Sequence, residues 1–238
     1  MRGLVLAAIA VAALVAGCGG KSKPQSIQPP IRTAPEGEDR GKPVIDALVR
    51  AAGIGDAKAM WKLLSAPSQE RFGSFERFEG AGAKQLFDDL APFSHGPYRI
   101  AVSQRVTDGF GVVSIVSVSR IYAVALRLEG EAWRVELGGP VHIEALGVAN
   151  ASTSQPVVQV GAEIRTTAKP PGLDEAVAWL DGLSLDQAQL HGTSKSATLF
   201  ANLTPPVRSG RHTVVVFAGG AKDASASAWT FSVRGGAG

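Results

Sequence analysis

The chain has 238 residues, a formal net charge of +3, 45% hydrophobic and 19% charged residues, and a single cysteine. That length allows ordinary hydrophobic cores. The small net charge, with no basic stripe interleaved with aromatics, argues against a nucleic-acid partner, and one cysteine excludes an internal disulfide.

The first predicted element is a leader. Arg2 precedes an apolar run over residues 4–15 and small residues follow, which is the layout of a secretory signal. The run falls short of the roughly 20 residues a membrane-spanning helix needs. It closes on Leu14-Val15-Ala16-Gly17-Cys18, and a polar Gly-Gly-Lys-Ser-Lys sequence comes after it. This order resembles the lipobox of bacterial lipoproteins. The resemblance implies that residues 1–17 are removed, that Cys18 becomes the N-terminus, and that its sulfur carries diacylglycerol with fatty-acyl chains such as palmitate. Two acyl chains hold a protein stably on a bilayer where one holds it only marginally. The expected address is therefore the cell envelope: the outer face of the cytoplasmic membrane, or an outer membrane where the cell has one.

About 220 residues remain after the leader, enough for two domains of about 100 each. Residues 18–42 read as a disordered tether, because Pro24, Pro29, Pro30 and Pro35 lie among polar residues without hydrophobic periodicity. Pro43 opens a first helix with Val44, Ile45, Leu48, Val49 and Ala52 on one face, and Gly53 stops it. Asp56 caps a second helix over 57–64, ended by Pro67. Phe72, Phe75 and Phe78 fall in a less regular piece with Gly80 and Gly82. A third helix over 83–91 turns Leu86, Phe87 and Leu90 inward and ends at Pro92.

The period then changes to two. Tyr98, Ile100 and Val102 alternate with Arg99, Ala101 and Ser103. Strands follow over 112–119 and 121–128, and Trp133, Val135 and Leu137 alternate with Arg134 and Glu136. On that alternation Trp133 faces a core while Arg134 and Glu136 face outward. Three helices followed by an antiparallel sheet make an α+β unit over 43–139. Gly55-Asp56-Ala57 before Trp61-Lys62-Leu63-Leu64-Ser65, and Gly130-Glu131-Ala132-Trp133-Arg134-Val135 on a late strand, make this unit similar to the cone-shaped fold of nuclear transport factor 2 and ketosteroid isomerase. The resemblance implies three helices on a curved antiparallel sheet.

Gly138-Gly139-Pro140 marks a joint. Short strands over 157–164, 176–183, 197–203 and 211–218, ending with Trp229, Phe231 and Val233 on one face, argue for an all-β sandwich over 140–235. A turn is expected at Pro170-Pro171-Gly172. The segment from Gly210 to Ala218, followed by Ala228-Trp229-Thr230-Phe231-Ser232-Val233, resembles the last two strands of bacterial immunoglobulin-like domains, with Trp179 as the mid-sheet core tryptophan.

His95, His142, His191 and His212 are scattered and form no metal-ligand spacing. No serine-nucleophile elbow and no phosphate loop preceded by a strand occurs. Ketosteroid isomerase uses an aspartate base beside a tyrosine, which draws attention to Tyr98, Tyr122, Asp88 and Asp89. The sequence places no aspartate facing either tyrosine. The expectation is a non-catalytic, membrane-anchored binding or scaffolding lipoprotein with no cofactor or metal, held to the membrane through Cys18 and meeting other envelope proteins. The alternative is a small-molecule carrier using a pocket of the α+β domain.

Overall fold

A computed structural model describes residues 41–167, 172–207 and 209–235. The leader, Cys18, the tether up to residue 40, and Pro170-Pro171 lie outside the described residues.

Helix α1 (Gly41–Gly53) buries Ile45, Leu48 and Val49, the face its periodicity predicts. Helix α2 (Ala57–Leu63) starts where Asp56 accepts the Ala59 amide at 2.8 Å. Pro67 does not end the helical region. It stands in the first turn of a further helix, α3 (Ala66–Phe72), whose cap is Ser65. A proline is harmless there because first-turn amides have no intrahelical partner. A short α4 (Phe75–Arg77) runs through a π-turn (Phe78–Gly82) into α5 (Ala83–Ser94). Pro92 also fails to terminate: α5 continues past it, and the last turn is anchored by buried Phe93.

The first sheet, sheet I, is an antiparallel meander of β1 (Arg99–Arg105), β2 (Phe110–Val116), β3 (Ile121–Glu129) and β4 (Ala132–Glu136), in that spatial order. Its inner face meets the helices. Phe78, Phe93, Met60 and Leu48 pack there against Val113, Ile115, Val124 and Val135, and they fill the space between helices and sheet. Trp133 joins this core as a half-buried side chain.

The rest of the chain is a two-sheet sandwich. Sheet II has the order β10 (Gln189–Gly192), β11 (Ser196–Val207), β7 (Val157–Thr166), β5 (Val141–Leu146). Sheet III has the order β6 (Ser152–Thr153), β13 (Ala224–Val233), β12 (Gly210–Gly219), β8 (Glu175–Leu180), β9 (Leu183–Ser184). Ile164, Leu199, Val214, Val216, Trp229, Phe231 and Val233 form the core between them. The expected common face of Trp229, Phe231 and Val233 is therefore present. Strand β11 runs on through Pro205-Pro206 rather than ending before them.

Sheet III has a second buried face. Val102, Phe110, Val112 and Ala125 from the outer side of sheet I pack on Trp179, Val215, Phe217 and Ala224 from the outer side of sheet III, making a third core. The layers run helices, sheet I, sheet III, sheet II, and the described residues belong to one compact unit. This arrangement accounts for two strands that do not alternate. Every residue of β2 is buried, and β12 is buried from Thr213 to Gly219, because each has side chains in two cores at once.

Three expectations are corrected by that second face. Val102 does not share a face with Tyr98 and Ile100. A bulge between Ile100 and Val102 changes the phase, so Tyr98 and Ile100 join the helix-side core while Val102 enters the third. Trp179 is buried, yet it lies in the third core and not inside the sandwich, where Trp229 sits instead. Glu136 points away from Trp133 as alternation requires, but away from Trp133 means into the covered side, and its side chain is fully buried. The bulge has a partner: Gly182, at φ +84°, brings its α-carbon so close that a β-carbon would stand 2.7 Å from the Ala101 carbonyl oxygen. The β8–β9 turn thus seats on β1.

Ser114 lies on the third-core side of β2, opposite Val102 and Ala123, with a buried hydroxyl that has no hydrogen-bond partner. Ser114→Ala is expected to leave stability unchanged or raise it by about 1 kcal/mol, the usual cost of an unpaired buried polar group. Urea denaturation midpoints measure this, and a clear loss would mean that the hydroxyl is bonded.

Candidate functional site

The tyrosines and aspartates singled out in the sequence separate into two places. Tyr122, on β3, packs on the helix-side core. Its phenol is pushed well above its ordinary pKa, first by burial and then by the negative charge of Asp89. Asp88 and Asp89 are exposed on α5. Asp89 is itself raised, by burial of its carboxyl first and by Asp88 second.

Tyr98 stands at the start of β1 and donates a 2.8 Å hydrogen bond to Asp46 Oδ1 on α1. Lys42, one helical turn before Asp46, forms an ion pair with the same carboxylate. The Tyr98 phenol is pushed up to about 12 by burial and by the Asp46 carboxylate, with the Arg50 cation opposing. At neutral pH it is a hydrogen-bond donor and not a base. Asp46 was not among the sequence candidates. Its signal was present in the i, i+4 spacing Lys42–Asp46–Arg50 on the polar side of α1.

These groups line an open groove of about 600 Å³ between α1, the C-terminal turn of α5 and β1. Lys42, Arg50, His95 and Arg99 are among its lining residues. Its apolar walls are Val49, Ile54, Phe93 and Ile100. His95 is the one candidate histidine in the groove. His142 and His191 are exposed on sheet II, and His212 meets Asp181 at 2.7 Å. Among the described residues no group of three His, Cys, Asp or Glu side chains is placed to hold a metal ion. No helix of the described residues is long and apolar enough to cross a membrane.

A second polar cluster lies between the layers. Glu136 accepts from Arg127 Nε at 2.8 Å and Nη2 at 3.1 Å, from Ser65 Oγ at 2.6 Å, and pairs with Arg71 at 2.8 Å. Arg71 continues to Asp223 at 2.6 Å, and Arg127 to the Lys222 carbonyl, both in the β12–β13 turn. Arg127 also lies 4.6 Å over the Phe110 ring. Burial alone pushes the Glu136 carboxyl up, but the Arg127, Ser65 and Arg71 contacts outweigh it and hold it below its ordinary value. With every carboxylate lone-pair direction engaged and the side chain sealed from solvent, this cluster is a fastener between helix α3, sheet I and sheet III.

The chain matches no family model and no curated protein. Among solved structures, the titin M3 domain aligns with 40% of this chain and 96% of its own length at 18% identity and a TM-score of 0.28. A chimeric titin Z1Z2 carrying a decorin peptide aligns with 41% of this chain and 97% of its own length at 17% identity and 0.29. An endo-beta-1,4-mannanase from Thermotoga petrophila aligns over 40% of this chain at 8% identity and a TM-score of 0.31, and the match spans 20% of the mannanase. Similarity at this level carries neither a function nor a detailed fold.

Proposed function

We propose that this chain is a cell-envelope lipoprotein, anchored through diacylglycerol on Cys18, whose folded part is a non-catalytic binding or scaffolding module. In this reading residues 43–139 are a nuclear transport factor 2-like α+β domain and residues 140–235 an immunoglobulin-like sandwich. The observation that carries the module reading is the filled interior. Phe78, Phe93, Leu48 and Met60 occupy the space between helices and sheet where a carrier or a ketosteroid-isomerase-type enzyme would hold its ligand. The neighbouring carboxylate, Asp46, is engaged by Lys42 and Tyr98. The Lys21, Lys23 and Pro-rich stretch after Cys18 suits a spacer that holds such a module off a bilayer.

Cys18→Ser is expected to abolish incorporation of a fatty-acid analogue and to move the chain from the membrane fraction to the soluble fraction, or to block its processing. Undiminished label on the serine variant would defeat the anchoring claim. The module claim is tested separately, by capture of envelope components with the lipid intact.

A further inference from the structure

The chain holds two asparagines, Asn150 and Asn202, and a hydroxyl follows each two residues on, in Asn150-Ala151-Ser152 and Asn202-Leu203-Thr204. Neither intervening residue is proline, so both triplets have the pattern of an acceptor for N-linked glycan in an exported protein. Serine and threonine are a small minority of the chain, so composition alone does not put one behind every asparagine. The carboxamide nitrogen is a weak nucleophile, because its lone pair is delocalised into the carbonyl. Its glycosylation needs a transferase that recognises the triplet, and what the fold must supply is access to that nitrogen at the surface.

The fold supplies it at both places. Asn150 lies in the connection between β5 and β6, exposed, with a left-handed φ of 51°. Its backbone N–H donates to the Thr230 carbonyl at 2.7 Å, and its Oδ1 accepts the Thr230 N–H at 3.4 Å. Strand β13 thus holds the oxygen of the carboxamide and leaves Nδ2 outside that contact. Ser152, at the start of β6, is exposed too, and its Oγ accepts from Arg234 Nε at 3.1 Å. The left-handed backbone accounts for an asparagine at 150, and not for the serine two residues on. Asn202 is exposed on the outer face of sheet II, between buried Ala201 and Leu203. Its Oδ1 accepts from Gln159 Nε2 at 3.0 Å, which again occupies the oxygen and not the nitrogen. The pairing of β10 with β11 stops at Phe200, so that strand does not cover Asn202. Thr204 is exposed as well.

We infer that Asn150 and Asn202 are acceptor sites for an N-linked glycan, transferred from a lipid-linked glycosyl diphosphate. In that step a bond forms between Nδ2 and the anomeric carbon of the sugar, and the bond from that carbon to the diphosphate oxygen breaks. Nδ2 gives one proton to a base of the transferase, and the lipid diphosphate leaves. The inference rests on export of the chain, the reading proposed above, because the modification belongs to secreted proteins. A glycan on Asn150 stands beside β6, the edge of sheet III, and one on Asn202 stands over the outer face of sheet II. A bulky hydrated group there keeps a further strand from adding to the open edge.

The test takes the full chain purified from the cells that make it naturally and digests it. Peptides containing Cys18, Asn150 and Asn202 are read by mass spectrometry with electron-transfer fragmentation. Sugar mass localised to Asn150 and to Asn202 is the expected result. Variants made in the same cells supply the second arm. Ser152→Ala should remove the sugar from Asn150 and leave it on Asn202, and Ser152→Thr should keep both. Thr204→Val should remove the sugar from Asn202 alone, and Thr204→Ser should keep both. Each substituted hydroxyl is exposed, so thermal melts of the variants should match the parent. Bare asparagines would overturn the inference, and so would sugar localised to a serine or threonine hydroxyl. Sugar on Asn150 that survives Ser152→Ala would overturn recognition of the triplet. Sugar on one asparagine only would overturn the assignment of the other. Acylated Cys18 beside bare asparagines would defeat the glycan alone. Glycosylated asparagines on a chain whose Cys18 carries no lipid would defeat the anchor alone.

Discussion

Trp179→Ala is expected to cost roughly 3–5 kcal/mol, the range for emptying a buried aromatic site, and to destabilise both halves of the described chain together. Trp179 is 1% exposed and sits where sheet III meets sheet I, among Val102, Phe110, Val112 and Phe217. Its indole N–H donates to Gln104 Oε1 on β1 at 3.1 Å. Truncation opens a void between two sheets that cannot close without moving one of them. It also leaves Gln104 without its donor. The Asp181-Gly182 turn that follows β8 rests on the β1 bulge, so the loss reaches sheet I directly. Urea denaturation followed by far-ultraviolet circular dichroism, which reports helices and strands together, measures the effect. One transition shifted to lower urea is the expected result. Two transitions, with only the strand-rich one shifted, would mean that the shared core does not couple the halves. Trp133→Ala should cost less, because Trp133 is only half-buried on the helix side.

The same coupling bears on separated fragments. Residues 43–139 alone would expose Val102, Phe110, Val112 and Ala125, and residues 141–238 alone would expose Trp179, Val215 and Phe217. Each half has its own core, so each can retain structure, but both lose the apolar burial of the third core.

Glu136→Ala is expected to be the second large effect, about 3–5 kcal/mol, because removing one partner of a buried pair leaves the others uncompensated. Here two guanidiniums, Arg71 and Arg127, would face each other with only Asp223 remaining as a counter-charge. Glu136→Gln keeps the shape and one acceptor and should cost less. The pH dependence has a definite sign. The folded carboxyl titrates below the unfolded one, so its stabilising contribution is complete above about pH 4.3, the ordinary value for glutamate. It is lost as pH falls through the lower, folded value. The parent protein should therefore lose stability on acidification across that window, and Glu136→Gln should lose less over the same range. Identical acid profiles for the two proteins would show that the cluster does not carry this linkage.

The legible parts of the sequence were those governed by short-range rules. Asp56 caps α2 because a carboxylate one residue before a helix meets free amides whatever lies beyond it. The face of α1 and the inward set Trp229, Phe231 and Val233 follow from local periodicity. Pro67 and Pro92 lie inside helices although a proline ring crowds the carbonyl four residues back and supplies no amide hydrogen bond. Pro67 stands where none is made, and the turn containing Pro92 is held by Phe93. The groove was not legible as a site. Asp46, Arg50, Tyr98 and Arg99 come from segments about 50 residues apart, and each alone reads as an ordinary surface residue.

Sequence alone determined the two-part character of the chain, helices and a meander first and short strands second, because 3.6-residue and two-residue periods are properties of single elements. It also determined the lipobox-like Val15-Ala16-Gly17-Cys18 and the polar stretch behind it. Tertiary structure alone decided which strand faces are solvent and which are core. Alternation tells that Glu136 opposes Trp133, and that Val215 and Phe217 oppose Val214 and Val216. Whether the second face meets water depends on what is laid over it, and sheet III laid over sheet I turned Glu136 from an exposed acid into the buried centre of an ion cluster.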